Sequence, residues 1–455
     1  MTITRRQLTT AAGALLAAGA TSACVPGTSS STANSAPPKP TTTDVAKLGK
    51  VTLREIDFFS TGDEGSWWKD VIAGFQAKNP NITITRSTAS FDDTMKTLNL
   101  KMSGNDAPDV VPANNGWQSL GTLVQGGLVL NLDTYATTYG WDRRLPASIR
   151  RQTAFSTDGK SMGVGSLFAM PVARSTLIGV YYNRALLKRL GVPVPTTFAA
   201  FESALAAAKK AGLTPLELGI LEQWPVTAPL FAVQDAIGKK AAISDFTYSQ
   251  ATVALAETGL LEAAQTMKRW TDAGYFTKDF SGISSTAAGT AFSKGTGVFR
   301  FDYTGSLPLT AAQRPGYGFF ILPRKDGGPI VATGATATPY AVSSKSKHPE
   351  AAAAFLDFVS SQATADLAVK HGLLPLLTTK PPTSIRDVLS ADEIKAQRTL
   401  DASDDYVPFF DWSTPTFLDT VAKLTQEVLA GKTTPASLVA GGQANYTAWA
   451  KQRAA

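Results

Sequence analysis

One cysteine, two histidines and a charged fraction of 17% in 455 residues remove several function classes at once. With Cys24 alone, no internal disulfide can form, so the mature fold must rest on its core. His348 and His371 are too few and too isolated from cysteine for a zinc site, and no HExxH or CxxC spacing occurs. A GxxxxGK[ST] loop is also missing, which leaves nucleotide chemistry without its phosphate cradle. Carboxylate-only calcium sites stay open, but no cofactor or metal is expected. Basic residues outnumber acidic ones, 43 against 36, yet the two signs are interspersed and no basic block points to nucleic acid. No apolar run reaches the roughly 20 residues needed to span a bilayer, and no internal repeat is visible.

What the amino terminus does contain is an export signal. Arg5 and Arg6 precede an apolar stretch from Ala11 to Ala20, and small residues follow up to Cys24. Thr4 to Leu8 resembles a twin-arginine signal, although paired arginines also occur in ordinary signals. Thr21-Ser22-Ala23-Cys24 resembles the lipobox of bacterial lipoproteins, with Thr21 where that motif prefers Leu. The reading is a signal over 1–23 and a diacylated Cys24. Residues 24–50, rich in Ser, Thr, Pro and Ala, are too poor in large apolar groups to offset the entropy of ordering and read as a flexible tether. The expected location is the extracellular face of the cell membrane, held by lipid.

From Val51 onward about 405 residues remain, enough for two lobes with their own cores. Val51 to Phe59 alternates apolar and polar residues and runs into Ser60-Thr61-Gly62-Asp63, as a strand ending in a loop does. Trp68, Val71, Ile72 and Phe75 then recur at helical spacing and stop before Asn79-Pro80-Asn81. Strands follow at 82–85 and near 109–111. Further helices are predicted over Phe198–Ala211 and Leu255–Thr271, and further strands over Leu216–Ile220 and Thr296–Phe301. Alternating strands and helices imply an α/β fold with a mostly parallel sheet, whose ligands bind in loops beyond the carboxyl ends of the strands. The loops Ser60–Ser66 and Ala113–Gln118 are so placed.

A chain of motifs in order resembles the extracellular solute-binding proteins of ABC importers, in the group that includes maltose- and oligosaccharide-binding proteins. Phe75 to Ile82, Ala107 to Val111, Pro171 to Arg184, Gly191 to Phe198, Trp270 to Phe276, Ala291 to Gly295, Lys347 to Phe355 and Gly431 to Pro435 carry the resemblance. One departure stands out: where many relatives have Gly-x-Trp, this chain has Phe301-Asp302-Tyr303-Thr304-Gly305, so another aromatic, such as Tyr303, must replace the usual tryptophan platform. The resemblance implies a periplasmic-binding-protein-like type II fold, two α/β lobes joined by a hinge with a ligand cleft between them. Lobe 1 is expected over 51–172 with 338–380, and lobe 2 over 173–337 with 381–455. It also implies three partners: a small carbohydrate, the ABC permease subunits and, through Cys24, the membrane, with the protein itself a monomer.

Sugars present flat C–H faces rimmed by hydroxyls, so their sites combine aromatic platforms with orienting polar groups. By position in the motifs, the ligand-binding candidates are Asp63, Trp67, Asn115, Trp117, Gln118, Arg174, Glu222, Trp224, Asp302, Tyr303 and Trp412. Adjacent Trp67 and Trp68 point roughly 100° apart on a helix, so one of them belongs to the core. Trp270, at the end of an amphipathic helix, reads as packing. An exported carbohydrate-active enzyme is the main alternative, but no motif pairs two carboxylates and neither histidine lies near a GxSxG turn. A binding protein for a non-sugar polar solute, or one reporting to a sensor kinase, also fits the sequence.

Overall fold

The computed structural model describes residues 42–60, 62–249, 253–376, 382 and 384–454. The export signal, Cys24 and most of the tether lie outside the described residues. The end of the tether departs from expectation. Val45–Leu48 form a 3-10 turn capped by Asp44, Val45 is buried, and the Asn81 side-chain amide donates to the carbonyls of Val45 and Gly49, both at 2.8 Å. Val45, Leu48 packed beside it against the core, and the Asn81 clamp tie down a short segment that composition alone marks as free.

Among the described residues eleven strands follow in chain order: β1 (Val51–Asp57), β2 (Ile82–Thr88), β3 (Val110–Pro112), β4 (Ala154–Phe155), β5 (Ser166–Leu167), β6 (Ser175–Asn183), β7 (Phe299–Tyr303), β8 (Tyr317–Phe320), β9 (Ala332–Thr336), β10 (Tyr340–Val342) and β11 (Tyr406–Val407). The first sheet has the order β10-β3-β1-β2. β1 runs parallel to β2 from Val51↔Ile82 to Asp57↔Thr88 and parallel to β3 at Glu55↔Val110, while β10 closes the edge antiparallel to β3. Alternation sets its faces: Val51 and Leu53 are buried and Thr52 is exposed. The helix Gly62–Lys78 covers this sheet with Trp67, Trp68, Val71, Ile72 and Phe75 inward, and Trp68 stacks on Tyr340 of β10 with centroids 4.9 Å apart.

The second sheet is built around β6, nine residues long. Its first half pairs with β9 (Ser175↔Thr336), and its second half lies between β7 (Tyr182↔Phe299) and β8 (Tyr182↔Gly318), with β11 beyond β9. Gly179 has to be glycine, because a Cβ there would stand 2.2 Å from the Phe319 ring. Helix Phe198–Lys210, capped by the Thr197 hydroxyl, packs Phe201 against Trp270, Phe299 and Phe301 in this core. A third cluster joins Trp117 and Phe155, which follow the first sheet, to Phe409 and Trp412, which follow the second.

Three predicted boundaries move, each for a local reason. Leu216–Ile220 is not a strand: Leu216 bridges Phe276 and Phe299, but the next ladder position is taken by the Thr277 hydroxyl, which accepts from the Leu218 amide. The strand predicted over 296–301 begins at Phe299 and runs to Tyr303, because Gly297 sits in a left-handed turn at φ +85° with Glu217 against it. Leu255–Thr271 splits at Gly259 (φ +83°) into a 3-10 turn and a helix over Leu260–Asp272, since Gly259 presses on the Gly238 backbone.

Candidate functional site

The carboxyl ends of β1, β3, β7, β9 and β11 and the amino end of β6 open onto one cavity of about 420 Å³, the position where open α/β sheets hold ligands and within the roughly 300–1,000 Å³ of small-molecule sites. Six aromatic side chains line it. Tyr303 and Phe409 stack at 6.0 Å and 18°, Trp224 flanks Tyr303 at 6.2 Å, and Trp412 leans on Phe409 at 5.2 Å. On the side of the first sheet, Phe58 meets Phe91 edge-on at 5.1 Å, and Phe91 is 40% exposed although apolar. Exposed aromatic surface in a concave site is surface reserved for something that covers it.

Polar groups sit between these rings. The Gln118 amide donates to Asp411 Oδ2 at 2.9 Å, and burial pushes the Asp411 carboxyl up to about 6. The Asn115 amide donates to the Gln152 carbonyl at 2.7 Å. The hydroxyls of Thr227 and Tyr303 meet at 3.3 Å, and burial raises the Tyr303 phenol well above its usual range. Arg174, whose side chain is 8% exposed, pairs with Glu64 while its Nε has no partner among the described residues.

The loop after β3 brings these groups together. Gly116, at φ +85°, lies so close to Trp412 that a Cβ would stand 2.5 Å from the Trp412 Cβ. A π-helical turn, Trp117–Gly121, follows, closed by the Gly121 amide on the Gly116 carbonyl at 2.9 Å. Such turns are rare and recur at functional sites.

Of the residues expected at a ligand, Asn115, Gln118, Arg174, Trp224, Tyr303 and Trp412 line this cavity. Five others do not. Trp67 is in the core with its indole N–H on the Thr364 carbonyl at 3.2 Å; its helix begins at Gly62, so the supposed loop is helical and both Trp67 and Trp68 face inward. Trp117 is buried between Phe155 and Trp449, because the π-helical turn rotates its ring away from the cavity. Glu222 caps the helix Ser285–Ser293, accepting from the Ser285 amide at 3.0 Å. Asp302 is neutralised by Arg300 at 2.6 Å and accepts from the Tyr303 amide at 2.9 Å. Asp63 pairs with Arg386 at 2.8 Å and lines a neighbouring cavity. Trp270 is core as expected, its N–H on Glu202 at 3.0 Å.

Sequence reasoning missed Phe58, Glu64, Phe91, Thr227, Phe409 and Asp411 in the lining. Phe409 and Asp411 stood beside Trp412, and Glu64 beside Asp63, so their signal was adjacency. Phe91 and Thr227 are helix positions whose cavity-facing role depends on how distant segments meet. Among the described residues no three His, Cys, Asp or Glu side chains converge as a metal site, and no helix is long and apolar enough to cross a membrane.

Against known proteins, residues 60–366 match the family model described as bacterial extracellular solute-binding protein. The multiple sugar-binding protein of Streptococcus mutans serotype c is 24% identical over 332 residues, 70% of this chain and 72% of that protein. A solved chitin oligosaccharide binding protein superimposes with a TM-score of 0.74 at 20% identity, covering 88% of this chain and 99% of that one. A solute-binding protein RafE in complex with raffinose gives 0.69 at 18% identity, covering 88% and 100%. These structures share the two-lobed type II periplasmic-binding fold. The chain belongs to the bacterial extracellular solute-binding protein family.

Proposed function

We propose that the protein captures a carbohydrate, a mono- or oligosaccharide, in the cavity between its lobes and delivers it to an ABC permease. The observation that carries this is the cavity lining itself: ring faces from Trp224, Tyr303, Phe409, Phe91 and Phe58 around amide, hydroxyl and charged groups. Apolar rings cover the C–H faces of a sugar while Gln118, Asn115 and Asp411 can exchange hydrogen bonds with its hydroxyls. The names of the similar proteins, a multiple sugar-binding protein and receptors for chitin oligosaccharide and raffinose, point the same way, and they are binding proteins, not enzymes.

In this reading lobe 1 comprises 51–172 with 338–380 and lobe 2 comprises 173–337 with 381–455. Each lobe supplies part of the site, so the ligand favours the closed arrangement and shifts the population toward it. A monomer tethered through a diacylated Cys24 then presents the closed form to the permease at the outer face of the membrane.

A thermal-shift panel of mono-, di- and oligosaccharides, polyols and other polar solutes tests the ligand class. At a hundredfold excess over Kd a ligand adds about 2.7 kcal/mol to the folded state, which a melt resolves. The expected result is a shift with a sugar that is recovered intact. Shifts confined to non-sugar solutes, or recovery of a cleaved sugar, would contradict it. For the anchor, Cys24→Ala is expected to release the protein from the membrane fraction and abolish fatty-acid labelling; unchanged fractionation would sink that part.

A further inference from the structure

The protein is basic overall, with 43 Lys and Arg against 36 Asp and Glu, but its cavity is not. The charged side chains in the cavity wall are Glu64, Asp92, Arg174 and Asp411. Glu64 and Arg174 neutralise each other in an ion pair. Asp92 and Asp411 have no cationic partner among the described residues, so these two carboxylates set the sign of the cavity. A cleft lined by one sign of charge between low-dielectric walls focuses its field and concentrates ions of the opposite sign.

Packing and capping do not account for the two carboxylates. Asp92 stands in the first turn of the helix Phe91–Ser103, but the cap of that helix is Ser90, whose hydroxyl accepts from the Asp93 amide at 3.1 Å and donates to the Asp93 carboxylate at 2.7 Å. Asp92 is left exposed beside Phe91, with no hydrogen bond or ion pair among the described residues. Asp411 is the opposite case. It is only 7% exposed, and its Oδ2 accepts from Gln118 at 2.9 Å. No described group donates to its Oδ1, which is not among the sealed polar atoms and so keeps an open side. The Gln118 amide supplies a hydrogen bond but no countercharge, and a buried charge without one is costly. Rings adjoin both carboxylates: Phe91 precedes Asp92, and Phe409 and Trp412, 5.2 Å apart, flank Asp411. Ring faces attract cations, so ring and carboxylate favour the same charge. A neutral sugar covers the rings but leaves both carboxylates unneutralised, and an anionic sugar adds like charge.

Resting on the carbohydrate reading above, we propose that the preferred ligand is an amine-bearing sugar, its ammonium paired with Asp411 among the aromatic rings while Asp92 adds to the attractive field. The neutral and N-acetylated forms of the same sugar use the rings alone and bind more weakly, and uronates are rejected.

Calorimetric titration of the purified protein near neutral pH tests this with matched forms of one sugar ring: the neutral parent and its amino, N-acetylamino and uronate derivatives, in the gluco, galacto and manno series. Acetylated and deacetylated chito-oligosaccharides extend the comparison, and choline and spermidine serve as cations without a sugar. Asp411→Asn keeps an acceptor for Gln118, and Asp92→Asn changes an exposed side chain; a melt of each variant verifies the fold. The expected result is an amino form bound about tenfold tighter than its neutral parent, with the uronate weakest. The ratio of amino to neutral affinity is expected to fall toward one in Asp411→Asn and part of the way in Asp92→Asn. If the neutral parent binds as tightly as its amino form, or the ratio survives both variants, the inference is overturned and the carbohydrate reading stands without it. If no sugar binds a protein that melts normally, or only choline or spermidine does, the carbohydrate reading falls and this inference with it.

Discussion

At the scale of single residues, Asp411 shows how the site is held. Its carboxyl is buried, accepts from Gln118 and is pushed from the usual 3.8 up to about 6. The folded-state value lies above the unfolded one, so Asp411 favours folding fully below about pH 4, and that contribution is lost as pH rises through about 6. Asp411→Asn keeps an acceptor for Gln118 without a titrating charge. Chemical denaturation across pH 4 to 7 should find the variant gaining on the wild type as pH rises, by on the order of 2–3 kcal/mol at pH 7. A difference that stays flat with pH would show that Asp411 titrates as it does in the unfolded chain. Glu393 and Asp235, buried and pushed up to about 7, tilt the wild-type curve the same way, which is why the comparison is made between variant and wild type. Residue roles were the least legible part of the sequence. Loop position pointed to Gln118 and Trp224, which line the cavity, but Asp302 is held by Arg300 two residues before it, and Glu222 by the Ser285 amide 63 residues on, a contact no local pattern reveals.

At the scale of elements, the loop after β3 and the carboxyl-terminal helix do the joining. Gly116 combines a left-handed backbone with close contact to Trp412, so Gly116→Ala carries both a conformational cost and a steric one. A loss of about 2–4 kcal/mol is expected from denaturant midpoints. Gly191 has a similar φ of +67° but no atom within 4 Å of its would-be Cβ, and Gly191→Ala should lose only about 1–2 kcal/mol. Equal losses for the two would mean that the contact with Trp412 contributes nothing. The helix Pro435–Ala454 sends Trp449 onto Trp117 at 4.9 Å, and Arg453 lies over both rings. Trp449→Ala should therefore lower stability by about 1–3 kcal/mol; an unchanged urea midpoint would exclude this clamp. Elements were well read where periodicity was unbroken, as in β1, β2 and the helix Phe198–Lys210 with its Thr197 cap. They failed at Gly259 and Gly297, where tertiary contact, invisible in a linear pattern, decides where a helix or strand can start.

For the whole molecule, the alternation of strands and helices gave the α/β class, and the ordered motifs gave the two-lobed architecture that the solved structures share. What remained hidden was convergence. Phe58 and Phe91, on the side of the first sheet, and Trp224, Tyr303 and Phe409, on the side of the second, line one cavity, and only the packed chain brings them together. At the departure from Gly-x-Trp, Tyr303 gains Phe409 and Trp224 as neighbours, so three rings stand together in the cavity wall.

The most direct test of that convergence is calorimetric titration of the best-binding sugar into wild type and Trp224→Ala. Trp224 is only partly buried, so its removal leaves the core in place. The account predicts stoichiometric binding by the wild type and a loss of about 2 kcal/mol, roughly thirtyfold in Kd, in the variant. Undiminished affinity in Trp224→Ala would place the sugar elsewhere and contradict the account.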